Sequence, residues 1–185
     1  ALDLFEANGK VSAPSPTAGN VFDEPNVLLR GLASERFSEV MPRGGVSSTL
    51  EATRRGVAVG DVDGDGGLDL LVVNRDGAAN LLMNRVEGRG RSVRFRVRLE
   101  NGRDAYAATV SGDVGTVTLN RNVQPDGSYL SYSEPVVHFG LGAAAEIRNV
   151  KVQWPGTSAI EDFGDFPADG VHVLERSAGT DRASR

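Results

Sequence analysis

The chain has 185 residues, of which 39% are apolar and 24% charged, with 23 glycines, 8 prolines and a formal net charge of −5. That length and balance fit one domain or two small ones able to bury a core, and the acidic excess argues against a nucleic-acid partner. The absence of cysteine excludes a disulfide framework, a thiol nucleophile and a thiolate metal site, and no stretch approaches the ~20 apolar residues of a membrane helix.

The chain opens Ala1-Leu2-Asp3, without Met or a leader pattern, and the expectation is a processed or trimmed piece of something longer. Leu2-Asp3-Leu4-Phe5-Glu6-Ala7-Asn8 aligns with Leu68-Asp69-Leu70-Leu71-Val72-Val73-Asn74, and Asn26-Val27-Leu28-Leu29 with Asn80-Leu81-Leu82-Met83. Self-similarity of this kind is the mark of a repeat. Asp3 takes the place of Asp69, so the first copy is expected to be cut in half. Between Gly9 and Glu24 an insertion rich in Ser, Pro, Ala and Gly reads as an exposed loop. Arg36 to Val40 reads as a short strand, and Met41 to Arg55 as a linker of weak periodicity.

Next comes Asp61-Val62-Asp63-Gly64-Asp65-Gly66-Gly67-Leu68-Asp69. Asp61, Asp63, Asp65 and Asp69 present carboxylates at a period of two, and Gly67 sits where a backbone carbonyl would turn inward. Calcium takes six to eight oxygens, which a tight loop supplies from every second residue. Gly64 and Gly66 allow the backbone angles that such wrapping needs. Two uncompensated carboxylates at about 4 Å repel by roughly 4 kcal/mol at an effective dielectric near 20, so the pattern argues for a metal over a polar turn. The helical calcium loop does not fit, because Val72 stands where that loop needs Glu. The flanks, Gly56 to Gly60 and Leu70 to Val73, are short, β-branched and bounded by glycine, which predicts strand–loop–strand.

This half resembles the FG-GAP/VCBS repeats of integrin-like β-propellers, on Val57-Ala58-Val59-Gly60-Asp61-Val62-Asp63-Gly64-Asp65-Gly66 with Leu68-Asp69-Leu70 and on Asn80-Leu81-Leu82. The resemblance implies that Asp61, Asp63, Asp65, Gly67 and Asp69 bind calcium. A propeller needs typically four to eight four-stranded blades, whereas residues 1–88 hold about one and a half. Their open edges would need cover from another domain or another copy.

From Glu87 to Arg91 the composition shifts to Gly and Arg, a boundary. Val93, Phe95, Val97 and Leu99 then alternate with Arg94, Arg96, Arg98 and Glu100, predicting a half-buried strand. Seven arginines lie between Arg85 and Arg103. An acidic polysaccharide or phosphate would suit them, but a solvated or edge-protecting face is the expected role. Ala105 to Ser111 and Gly115 to Asn120 read as strands joined by a Gly-Asp turn, and Pro125-Asp126-Gly127 as a further turn. Later strands are expected at Val136 to Gly142, around Val150, Val152 and Trp154 with Lys151 and Gln153 on the opposite face, at Ala159 to Phe163, and at Val171 to Glu175. From Ser177 a polar tail follows.

Tyr129-Leu130-Ser131 with Ser133 and Pro135, then His138-Phe139-Gly140-Leu141-Gly142, then Val150-Lys151-Val152-Gln153-Trp154-Pro155-Gly156 resemble the ASPIC/UnbV domain. That domain typically follows FG-GAP/VCBS repeats, as in the C-terminal part of cartilage acidic protein-like secreted proteins. The resemblance covers about residues 92–176. It departs at Tyr106-Ala107-Ala108, where relatives usually carry a Gly-Ala pair. The expected fold is all-β: partial propeller blades over 1–88, a small antiparallel β-sandwich or barrel over 89–176, and a polar tail over 177–185.

No catalytic pattern stands out. His138, in an apolar run, and His172, on a strand, are expected in packing and hydrogen-bonding roles. There is no Gly-x-Ser-x-Gly elbow. Glu134, Glu161, Asp162 and Asp165 could be paired for glycoside hydrolysis only by picking from 25 acids. Tyr129, Tyr132 and Trp154 could stack on a sugar, with Trp154 the more expected in the core. The expectation is a calcium-stabilised binding or adhesion module without catalytic activity. It would be extracellular or periplasmic, would bind a protein or carbohydrate, and could self-associate through open blade edges. The alternative is a secreted hydrolase of an ester or polysaccharide, or an accessory domain of one.

Overall fold

Short β-branched runs punctuated by glycine give strands of two to eight residues, and in the computed structural model 49% of the chain is strand and 2% helical. The structure describes residues 2–11, 22–47 and 50–182. Most of the insertion expected as an exposed loop between Gly9 and Glu24 lies outside them. By contacts the chain divides into two units, 1–60 with 69–83 and 128–132, and 61–68 with 84–127 and 133–185.

The first unit holds β1 (Leu4–Glu6), β2 (Glu24–Pro25), β3 (Val27–Gly31), β4 (Phe37–Glu39), β5 (Glu51–Ala52), β6 (Arg54–Gly60), β7 (Asp69–Asn74) and β8 (Asn80–Leu82). They form three small antiparallel sheets, ordered β1-β3-β4, β2-β5 and β6-β7-β8. The two sequence copies pair alike, β1 with β3 and β7 with β8. Their registers differ by one residue: Leu4 faces Leu29, whereas the aligned Leu70 faces Leu82, the counterpart of Leu28. Part of the expected linker is strand, Glu51–Ala52 and the start of β6 at Arg54. Arg54 explains why, for its buried guanidinium donates to the carbonyls of Glu24, Ala52 and Leu50.

The second unit holds β9 (Arg91–Arg98), β10 (Thr109–Val114), β11 (Val117–Asn122), β12 (Val136–Gly142), β13 (Glu146–Gln153), β14 (Ile160–Pro167), β15 (Val171–Glu175) and β16 (Thr180–Arg182). They make two open sheets, β11-β10-β13-β14-β16 and β12-β9-β15, and no barrel closes. One buried cluster takes Val93, Phe95 and Val97 from β9, Val137, Phe139 and Leu141 from β12, and Val110, Ile147, Val150 and Val152 from the other sheet, with Trp154 beside them. Phe95 meets Phe139 edge-on at 5.9 Å between centroids and Phe166 of β14 at 5.0 Å. Each such side chain contributes about 1.5–3 kcal/mol on burial.

Four expectations are corrected here. The expected antiparallel arrangement is broken by β15, which runs parallel to β9. After β14 the chain leaves its own sheet at Asp169, where Asp169 N donates to Ser92 O at 2.6 Å and Arg94 N donates to Gly170 O at 2.9 Å. This crossing to the other sheet replaces a hairpin. The Gly112-Asp113 pair lies inside β10, and the turn falls at Gly115-Thr116, with Gly115 at φ 62°. Gly112 serves close approach instead: a Cβ there would stand 2.6 Å from Ile147 Cδ1. β9, whose arginines were expected on a solvated or edge-protecting face, is the central strand of its sheet, so they guard no edge. Finally, Thr180–Arg182, within the expected tail, pairs with β14.

Alternation over Val150, Val152 and Trp154 holds, all three being buried. Ile147 is buried too, three residues before Val150, which strict alternation forbids. A register shift between Ile147 and Val150, with Asn149 at φ 51°, returns it to the core face, the work of a β-bulge. Ala107 sits at φ 66°. A side chain in the left-handed region costs roughly 1–2 kcal/mol. Ala107→Gly should therefore stabilise the protein by about 0.5–1 kcal/mol in urea unfolding, after the added flexibility of the unfolded chain is counted. A midpoint unchanged or lowered would show that Ala107 is unstrained.

Candidate metal centre

The acidic stretch connects β6 to β7, antiparallel neighbours that close with Gly60 opposite Asp69, so strand–loop–strand is the observed context. Gly64 and Gly66 take φ 74° and 84°, the turn angles that side chains resist. The carboxylates of Asp61, Asp63 and Asp65 each offer an oxygen within 4.8 Å of the others. Among the described residues no other group of three His, Asp or Glu comes together in this way. Of the other expected ligands, Gly67 is buried and donates its N–H to Asp65 Oδ1 at 2.9 Å. Asp69 falls in the first unit as the opening residue of β7, 1% exposed.

Asp61 is the knot of the loop. Its Oδ1 accepts from the N–H groups of Gly64 and Asp65 at 2.8 and 3.1 Å, and its Oδ2 from that of Gly66 at 2.8 Å. Arg94 Nη1 reaches the same Oδ2 at 2.6 Å, with none of the Asp61 side chain exposed. A carboxylate has about four acceptor positions, and four donors converge on this one.

Two further arginines, from the segment between β8 and β9, lie on the outer acids. Arg85 Nη1 spans Asp63 Oδ2 at 2.6 Å and Asp65 Oδ2 at 3.3 Å. Arg89 Nη2 meets Asp65 Oδ2 at 2.7 Å and also donates to the Asp65 carbonyl at 2.9 Å. Three carboxylates thus face three guanidiniums. The Gly67 N–H, and after it Arg89, hold the Asp65 carboxyl below the usual carboxylate range. The composition shift at Glu87 to Arg91 that reads as a domain boundary therefore also supplies one of the loop's counter-charges, Arg89. Spacing gives no sign of this, because the partners are about twenty to thirty residues apart.

His138 has the hydrogen-bonding role expected of it. Its Nε2 lies 3.0 Å from the Gly66 carbonyl, which accepts, so Nε2 carries the proton. Burial is the main reason that its pKa lies below the ordinary imidazole value. Ser92 Oγ donates to the same carbonyl at 3.0 Å. His172 packs against the rings of Phe95 and Phe166. Elsewhere Arg96 and Asp104 pair with two contacts, at 2.8 and 3.0 Å, and that hydrogen bond keeps the Asp104 carboxyl below its usual range.

Three of the four carboxylates considered for hydrolysis have local duties. Glu161 is buried and accepts from the N–H groups of Ser177 and Gly179. Asp162 accepts from Gly164 N, and Asp165 from Asn149 N. Trp154 is core, whereas Tyr129 and Tyr132 are exposed. Tyr129 lines a groove of about 420 Å³ in the first unit with Phe5, Glu6, Arg54, Arg55 and Gly56.

Residues 98–181 match the family model described as ASPIC and UnbV, running from the end of β9 into β16. No curated protein matches the chain. The acidic loop and its three arginines precede the matched segment.

Proposed function

We propose that this chain is a non-catalytic binding module of an extracellular or periplasmic protein, its acidic loop stabilised by calcium. The observation that carries the reading is the convergence of the Asp61, Asp63 and Asp65 oxygens on a glycine-turned loop between paired strands. Hard oxygen donors of this kind suit calcium. Those three residues, with Gly67 and Asp69, would hold the ion, whose chemistry would be to neutralise the acids and pin the loop. Reading the first unit as FG-GAP/VCBS blades is supported by the like pairing of its two copies. A protein or carbohydrate ligand is supported by the groove beside Tyr129, with Tyr129 and Leu130 exposed. Self-association through open blade edges belongs to the same reading, and a strict monomer in sedimentation would remove it.

The test is a thermal melt in EDTA and again in ~5 mM calcium, a concentration suited to sites that bind at roughly 10⁻⁴ to 10⁻³ M. Calcium should raise the melting temperature of the parent by a few degrees through mass action and leave Asp63→Ala unmoved. A parent that melts identically in both buffers would sink the calcium reading.

A further inference from the structure

We infer that Arg85 and Arg89 are displaceable counter-ions of the acidic loop, so that a divalent cation enters by expelling the chain's own guanidiniums. The inference rests on the calcium reading and concerns the regulation of that site. It begins from which oxygens are already committed. Oδ1 of Asp61 and Oδ1 of Asp65 accept backbone N–H groups within the loop, and these bonds shape it. Oδ2 of Asp63 and Oδ2 of Asp65 point to arginine instead. A cation and the arginines therefore want the same two atoms.

They cannot share them. Calcium needs its oxygens at about 2.3–2.6 Å, and Arg85 Nη1 already stands 2.6 Å from Asp63 Oδ2. A guanidinium held so close would repel a divalent ion, and at about 5 Å in water that repulsion is worth on the order of tenfold in affinity.

The three arginines also differ in how readily they leave. Arg94 is rooted in the central strand of its sheet with 13% of its side chain exposed, and it stays on Asp61. Arg85 is 63% and Arg89 32% exposed, on the connecting segment, where ion pairs are weak and a released side chain finds water at once. The loop is thus charge-balanced before any ion arrives, and occupancy by calcium sets two arginines free.

The test is calorimetric calcium titration of the full chain, as the parent, Arg85→Gln/Arg89→Gln and Arg103→Gln, with melts of each in EDTA. Arg103 is exposed and controls for net charge. The double variant should bind calcium on the order of tenfold more tightly than the parent and melt a few degrees lower in EDTA, while Arg103→Gln matches the parent in both. Parent binding with equal or weaker affinity in the double variant would overturn the exchange and leave the calcium reading standing. An equal gain in Arg103→Gln would reduce the effect to net charge and overturn it as well. No calcium binding by any of the proteins would overturn both.

Discussion

Asp61→Asn should lower the melting temperature by on the order of 10 °C in EDTA, from a loss of about 3 kcal/mol or more. The substitution keeps the shape and one carbonyl oxygen, which can still serve Gly64 and Asp65. It places an NH₂ group where Oδ2 accepted from Gly66 N and from Arg94, setting donor against donor. With none of the Asp61 side chain exposed, water cannot repair either bond, and Arg94 is left a poorly hydrated charge without its partner. Asp63→Asn makes the contrast. Asp63 is exposed, and its ion-pair partner Arg85 is 63% exposed, so its loss in EDTA should stay within about 1 kcal/mol. On the calcium reading, both variants also lose any stabilisation by calcium. Equal melting of the two variants in EDTA would remove Asp61 from its place as the knot of the loop.

Trp154→Ala should cost about 3–5 kcal/mol in denaturant unfolding, the usual range for emptying a buried aromatic site. Trp154 follows β13 directly, is 1% exposed, and carries the Arg176 guanidinium 5.9 Å from its ring centroid. Among the described residues its Nε1 has no hydrogen-bond partner. Trp154→Phe therefore gives up no hydrogen bond and should cost about 1–2 kcal/mol less than the alanine variant, by keeping most of the packed area. A phenylalanine variant as damaged as the alanine one would mean that Nε1 makes a bond that matters.

The strands of the second unit were largely legible, because a two-residue period of apolar side chains survives any tertiary arrangement. Val93, Phe95 and Val97 declare β9, and Val150 and Val152 with Trp154 declare β13. Misreadings gathered at residues with more than one physical use. Gly112 has the composition of a turn but serves as a gap for Ile147, and the hairpin closes at Gly115 instead. Thr180 to Arg182 is polar throughout and gains strand structure only from the open edge of β14. Neither the parallel pairing of β15 with β9 nor the bulge before Val150 has a local signature, since both depend on which strand happens to lie alongside.

At the loop the division is clearest. Alternating acids and two well-placed glycines determine by themselves a tight turn with converging carboxylates, because Asp61, Asp63 and Asp65 are neighbours in the chain and their geometry is local. Which positive charges answer them is decided only in three dimensions. Arg85 and Arg89 arrive from the segment after β8, and Arg94 from the middle of a sheet. Coulomb attraction depends on distance in space, and nothing in the spacing of those arginines records how close folding brings them.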